Sequence, residues 1–213
     1  MKRISWNGKF GLAGLVLFTL GLGVHIGSRA QGPRYVSPTI DPSPLVLPGH
    51  RYDLPATLIT AAQIEAHKQN MIAVRETDVA MTMVKAGGGS DDHQAGVSVV
   101  NRYDGMVNAN YAVHDDVAEV YYVLEGRGQM KLGGTITDWN RRPVSIENGQ
   151  GSRGTTAVGA EDITIQQGDM LIIPAGTPHK WEFAEEFTSY VVVRLDPDGV
   201  APLLELGDAE FVR

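Results

Sequence analysis

The 213-residue sequence contains no cysteine, which excludes disulfides, a thiolate nucleophile and any zinc or iron–sulfur site built on cysteine. A metal, if one is bound, must be held by His, Asp, Glu or backbone oxygen. Positive charge is also scarce: 18 Lys and Arg stand against 25 Asp and Glu, a formal net charge of -7. No basic block can neutralise a run of phosphates, so nucleic acid is not an expected partner. Long hydrophobic runs are missing too. The apolar stretch from Phe10 to Ile26 is interrupted by four glycines and His25 and falls short of the roughly 20 residues that a comfortable membrane span needs. High charge density is likewise absent, because 43% of residues are hydrophobic and 20% charged, which is the balance of a folded domain and not of a disordered chain. The length suits one domain with a sizeable core.

Lys2, Arg3 and Lys9 precede the apolar stretch, and the small residues Ser28 and Ala30 follow it. This reads as a secretory signal peptide over residues 1–30, with export to the periplasm or beyond and no stable membrane insertion after its removal. A retained anchor is the alternative. Six prolines between Gln31 and Pro55 hold the chain extended and remove backbone donors, so residues 31–58 are expected to form an arm over the domain, or else a floppy linker. The domain itself is expected over 59–213. Thr60 with Gln63 three residues on looks like a capped helix start, with the helix running to about Asn70.

Beyond that helix the texture changes. Val and Ile alternate in Val97–Val100, Val117–Leu124, Gln129–Leu132, Ile163–Gln166, Met170–Ile173 and Thr188–Leu195, separated by Gly, Asn or Asp. Short strands joined by turns predict an antiparallel sandwich or barrel, not a βαβ fold. The stretch Gly133–Ala160 has no clear strand pattern and reads as a long loop or hairpin insertion.

Two segments carry imidazoles and a carboxylate inside strand-like sequence. In Ala112-Val-His114-Asp-Asp-Val-Ala-Glu119-Val-Tyr121, a period of two puts Glu119, Tyr121 and Val123 on one face. If that face is interior, Glu119 is a buried carboxylate that needs a partner. In Gly168-Asp-Met-Leu-Ile-Ile-Pro174-Ala-Gly176-Thr-Pro-His179-Lys-Trp181, a Pro/Gly turn delivers His179 onto a strand that it shares with Trp181. Two imidazoles and one carboxylate on facing strands make a facial triad with open coordination positions. Asp115 and Asp116 offer an acid/base pair, or ordinary turn residues.

These segments resemble the paired motifs of the cupin superfamily, G(X)5HXH(X)3,4E(X)6G and G(X)5PXG(X)2H(X)3N. His114, Glu119 and Gly126 match the first, and Gly168, Pro174, Gly176 and His179 the second. The resemblance runs from Gly105 to Phe183. It departs from the pattern at Met106, where the first motif's leading Gly would fall with Gly105 one place off, at Ala112, where that motif has its leading His, and at Phe183, where the second ends in Asn. It implies an all-β fold, a small antiparallel jelly-roll barrel (a double-stranded β-helix) behind the short N-terminal helix, with one divalent ion held by His114, Glu119 and His179. Iron, manganese, zinc, nickel and copper all suit that ligand set. With Ala112 in place, three outcomes stay open: a three-ligand site, a replacement from Asn108, Asn110 or His93, or loss of the metal. Tyr121 and Trp181 are expected to line the cavity as catalytic residues, or to be core aromatics. Arg102 or Arg127 is expected at its mouth to orient a carboxylate or phenolate.

Members of the superfamily include dioxygenases, isomerases, decarboxylases, lyases and ligand-binding proteins, so the fold does not name a reaction. The resemblance therefore implies a metal-dependent enzyme acting on a small oxygen-bearing substrate, or a secreted module that binds a small molecule or sugar without turnover. It also implies a homodimer.

Overall fold

In the computed structural model, which describes residues 54–87 and 93–211, the first element is helix α1 (Ala61–Val74). The signal-peptide reading and most of the proline-rich arm lie outside the described residues. Thr60 caps α1 reciprocally: its hydroxyl accepts from the Gln63 backbone N–H at 3.3 Å, and the Gln63 side chain accepts from the Thr60 N–H at 2.9 Å. The helix runs one turn past Asn70 because Arg75 turns left-handed (φ 61°) and returns its N–H to the carbonyls of Met71 and Ile72. A left-handed Arg gives no sequence signal of the kind a glycine gives.

Among the described residues the strands, in chain order, are β1 (Asp78–Lys85), β2 (Gln94–Arg102), β3 (Tyr111–His114), β4 (Ala118–Glu125), β5 (Arg127–Leu132), β6 (Thr135–Ile136), β7 (Asn140–Arg141), β8 (Gly151–Gly154), β9 (Ala157–Val158), β10 (Glu161–Gln166), β11 (Met170–Ile173), β12 (His179–Ala184) and β13 (Thr188–Asp196). One sheet has the order β1-β2-β13-β4-β11 and the other β10-β5-β12-β3-β8-β7. All pairings are antiparallel. This is the two-sheet jelly roll that the motif resemblance implies. Alternating side chains from both sheets, among them Val100, Tyr121, Met130, Ile165, Trp181 and Val192, fill the space between them. The outer face of the first sheet is covered at one end by α1, through Met71, Met81 and Val99.

Two parts of this architecture differ from the sequence expectation. β1 follows no alternating pattern. Met81, Thr82 and Met83 are buried in succession, next to a register shift between Ala80 and Thr82, since one side of this strand packs under α1 and a bulge breaks the parity. The stretch Gly133–Ala160, which shows no clear strand pattern in the sequence and reads as a long loop or hairpin insertion, contains β6 to β9. β8 pairs along the whole of β3, with Ala112 opposite Arg153 and His114 opposite Gly151. Glycine is required at 151, where a Cβ would stand 2.3 Å from the Val113 carbonyl oxygen. A Gly-Ser-Arg-Gly strand contacts its neighbour mainly through backbone and so lacks the usual β formers.

Candidate metal centre

β4 follows the predicted parity: Glu119, Tyr121 and Val123 are its buried residues. β3 ends at His114, and β12 begins at His179, which lies opposite Ala112 in the β12–β3 ladder. The turn between β11 and β12 ties the two motif segments together, because the Gly176 N–H donates to the His114 carbonyl at 2.7 Å. Gly176 sits at φ 77°, a conformation that glycine adopts without strain. His114, Glu119 and His179 therefore converge. All three are buried, and one donor atom from each lies within 4.8 Å of the others. Glu119 Oε2 is 3.4 Å from His179 Nε2 and 3.6 Å from His114 Nε2.

The donor set fits a divalent ion. His179 Nδ1 donates to the Thr177 carbonyl at 3.0 Å, which orients the ring so that Nε2 faces Glu119. Burial, with the charges of His179 and Arg194 adding to it against the attraction of Glu119, lowers the pKa of His114 to about 3. A neutral imidazole is the ligating form. Burial alone would raise the Glu119 pKa, but His179, Arg194, His114 and the Tyr121 hydroxyl together hold it below the ordinary carboxylate value. Its two oxygens are divided. Oε1 faces Arg194 Nε at 3.3 Å, while Oε2, facing the imidazoles, accepts from the Tyr121 hydroxyl at 3.0 Å. Burial and the Glu119 charge push the Tyr121 phenol well above its ordinary pKa, so it stays protonated as a donor.

A polar cavity of about 160 Å³ opens on the triad. Tyr121 and Trp181 both line it, yet each is also core. Trp181 Nε1 donates to the Tyr190 hydroxyl at 2.9 Å, and Tyr121 and Trp181 both pack on the Tyr190 ring. Arg102 reaches the cavity with its Nε 3.2 Å from the Tyr190 hydroxyl. Arg127 does not; it pairs with Glu185 at 2.8 Å, half exposed. Of the replacement ligands considered, Asn108 lines the cavity, Asn110 lines only the space outside it, and His93 lines neither. Asp115 pairs with Arg141 at 2.7 Å across the turn, so a carboxylate pair for acid/base work is not assembled there. A bulge between Trp181 and Phe183 turns Phe183 outward.

Sequence reasoning missed Arg194, Asp78 and Asn148. Arg194 is fully buried on β13 opposite Glu119, and its guanidinium also reaches Asp78 at 2.7 Å and Ser98. The signal was present: an arginine inside Val-Val-Val-Arg-Leu is the same anomaly that singles out Glu119. Arg142 and Asn148 come from the insertion and line the cavity. Asn148 Oδ1 is buried without a hydrogen-bond partner, and nothing in its local sequence marks it.

Fold and site together define a cupin-type jelly roll with a candidate 2-His-1-Glu metal centre. No family model matches the sequence, and neither does any curated protein. Solved structures do. A protein from Bacillus halodurans is similar at 16% identity over 71% of this chain and 90% of that one (TM-score 0.40). A protein from Thermus thermophilus is similar at 16% identity over 56% of this chain and 84% of that one (TM-score 0.34). An oxalate oxidase is similar at 15% identity over 60% of this chain and 54% of its own (TM-score 0.35).

Proposed function

We propose that this protein is a metal-dependent enzyme that holds one divalent ion with His114, Glu119 and His179 and acts on a small oxygen-bearing substrate. The observation that carries the reading is the burial of two imidazoles and one carboxylate, donor atoms converging, on the wall of a polar cavity. Uncompensated burial of such groups is costly, and a shared cation offsets that cost. A bound ion would supply Lewis-acid polarisation of a substrate oxygen, or redox chemistry with dioxygen if it is iron. The chain's own residues do the rest. Arg194 and Tyr121 fix the Glu119 carboxylate, Thr177 fixes the His179 tautomer, and Trp181 closes the floor against water. Arg102 and Arg142 give the cavity a cationic wall that favours a carboxylate or phenolate substrate. Dioxygenase, isomerase and lyase chemistry all fit this arrangement.

Elemental analysis of the full chain, purified without chelator or His-tag, tests the site. Near-stoichiometric metal in the wild type, lost in Glu119→Ala and in His179→Ala, is the expected result. No metal after reconstitution overturns it. The second reading, a binding module without turnover, is favoured by Ala112 in place of a ligand, and ligand binding that survives metal removal would support it. We further propose export of the chain after cleavage near Ala30, which N-terminal sequencing of the secreted protein tests. Dimerisation is proposed as well; sedimentation giving a monomer at micromolar concentration would discard it.

A further inference from the structure

A second space of about 380 Å³ lies outside the metal cavity. The two spaces share Asn108, Ala112 and Arg142 as lining residues. Ala112 occupies the position where the motif resemblance would place a ligating His. Its side chain ends at Cβ, so the face of β3 between the triad and the outer space carries no blocking group. In the β3–β8 ladder Arg153 stands directly opposite Ala112, two positions along from the Gly151–His114 pair. Two residues along a strand span roughly 7 Å. Arg153 therefore stands one pleat repeat from His114, at the outer end of the passage, with Arg142 between.

Among the described residues neither Arg142 nor Arg153 has an ion-pair partner, whereas the adjacent Arg141 is taken by Asp115. Two uncommitted guanidiniums at the mouth of one cavity are conspicuous in a chain of net charge -7. Asn148 supplies a second, independent indication: it is 7% exposed, it lines the inner cavity, and its Oδ1 has no hydrogen-bond partner. Such a group is retained at a cost unless a ligand donor meets it.

We propose that the loss of a ligand at Ala112 opens a passage, and that the substrate is an elongated molecule with an anionic oxygen group at each end, one at the triad and the other at Arg142 and Arg153. A polar hydrogen on the substrate between the two ends would meet Asn148 Oδ1. Arg is suited to the outer end because its planar fork engages a carboxylate through two hydrogen bonds. The proposal rests on the metal-site reading above and deepens it by naming the substrate class.

Calorimetric titration of the full chain loaded with Zn²⁺ tests it, using malonate as a short diacid, adipate as a long one and hexanoate as a long monoacid. Zinc content is measured before and after each titration. Adipate is expected to bind about tenfold more tightly than either of the others, the scale of one charge-assisted contact. Arg153→Glu, an exposed change that leaves folding intact, should remove that advantage while malonate stays within about twofold. Ala112→Val should do the same by narrowing the passage. Adipate binding no tighter than malonate, or Arg153→Glu weakening both diacids equally, overturns the proposal. Failure of the chain to retain zinc overturns the metal reading instead. In that case adipate should still bind the zinc-free chain more tightly than hexanoate, and loss of that difference overturns the passage as well.

Discussion

Replacing Arg194 with Met keeps most of the aliphatic stem and removes the guanidinium, which isolates the role of its charge. Arg194 and Glu119 are each 2% exposed and lie 3.3 Å apart, so the substitution leaves a buried carboxylate without its cation. Removing one partner of a buried pair typically costs about 3–5 kcal/mol. The loss should fall on both sides of the network, since Asp78 also gives up the 2.7 Å contact to the same guanidinium. At roughly 2–4 °C per kcal/mol for a domain of this size, the melting temperature of the metal-free chain should fall by about 6–20 °C. Thermal denaturation in chelator, followed by circular dichroism, reads this directly. The pair Arg194→Met with Glu119→Gln should cost less than the two single changes together, by about 1–3 kcal/mol, because the second change removes the stranded charge. As a reference, Lys131→Ala breaks an exposed pair with Asp162 and should leave the melting temperature unmoved. If Arg194→Met costs under about 1 kcal/mol, as a surface pair does, or if the double change is additive, the buried network is not what holds Glu119 ionised and in place.

Three further outcomes are expected. His114 takes up its proton at about 3 in the folded chain against 6.5 ordinarily, so the folded state binds fewer protons; the stability this residue contributes is present above pH 6.5 and lost as pH falls toward 3. Urea titrations of the metal-free chain across that window should show it, and His114→Gln should flatten the slope. Gly128→Ala would bring a Cβ to 2.6 Å from both the Trp181 ring and the Phe183 carbonyl; a loss of about 1–3 kcal/mol from overpacking, with an altered near-ultraviolet spectrum, is expected, and an unchanged spectrum would contradict the packing described. Thr60→Ala should cost about 1 kcal/mol in chemical denaturation by removing the cap of α1, and a neutral result would mean that the first turn is held by its packing on the sheet.

Legibility of the fold followed from how each strand is surrounded. β4 has one buried face, so its parity placed Glu119, Tyr121 and Val123 together from the sequence alone. β1, partly covered by α1 and broken by a bulge, gave no such parity. Residues whose ladder is made of backbone, as in Gly151–Gly154, carry almost no side-chain signal. The site divides in the same way. His114, Glu119 and His179 could be read because turn and strand spacing fix their positions locally. Arg194 reaches Glu119 across 75 positions of sequence, and only the pairing of β13 with β4 shows which carboxylate it serves. Arg127, expected at the mouth, stands at the start of β5 and is held beside Glu185 instead.

The ladder between β3 and β8 makes two properties inseparable that evolution or a protein engineer would prefer to adjust one at a time. Without β8, β3 would be left at the exposed margin of its sheet, with His114 on a strand free to fray. With it, the segment that carries Arg142 and Arg153 is also the brace of His114, one of the candidate metal ligands. Lengthening or trimming the insertion to accept a different ligand would therefore disturb the support of His114 as well. New specificity in this chain should arise more readily through point changes on the outer rim than through loop grafting.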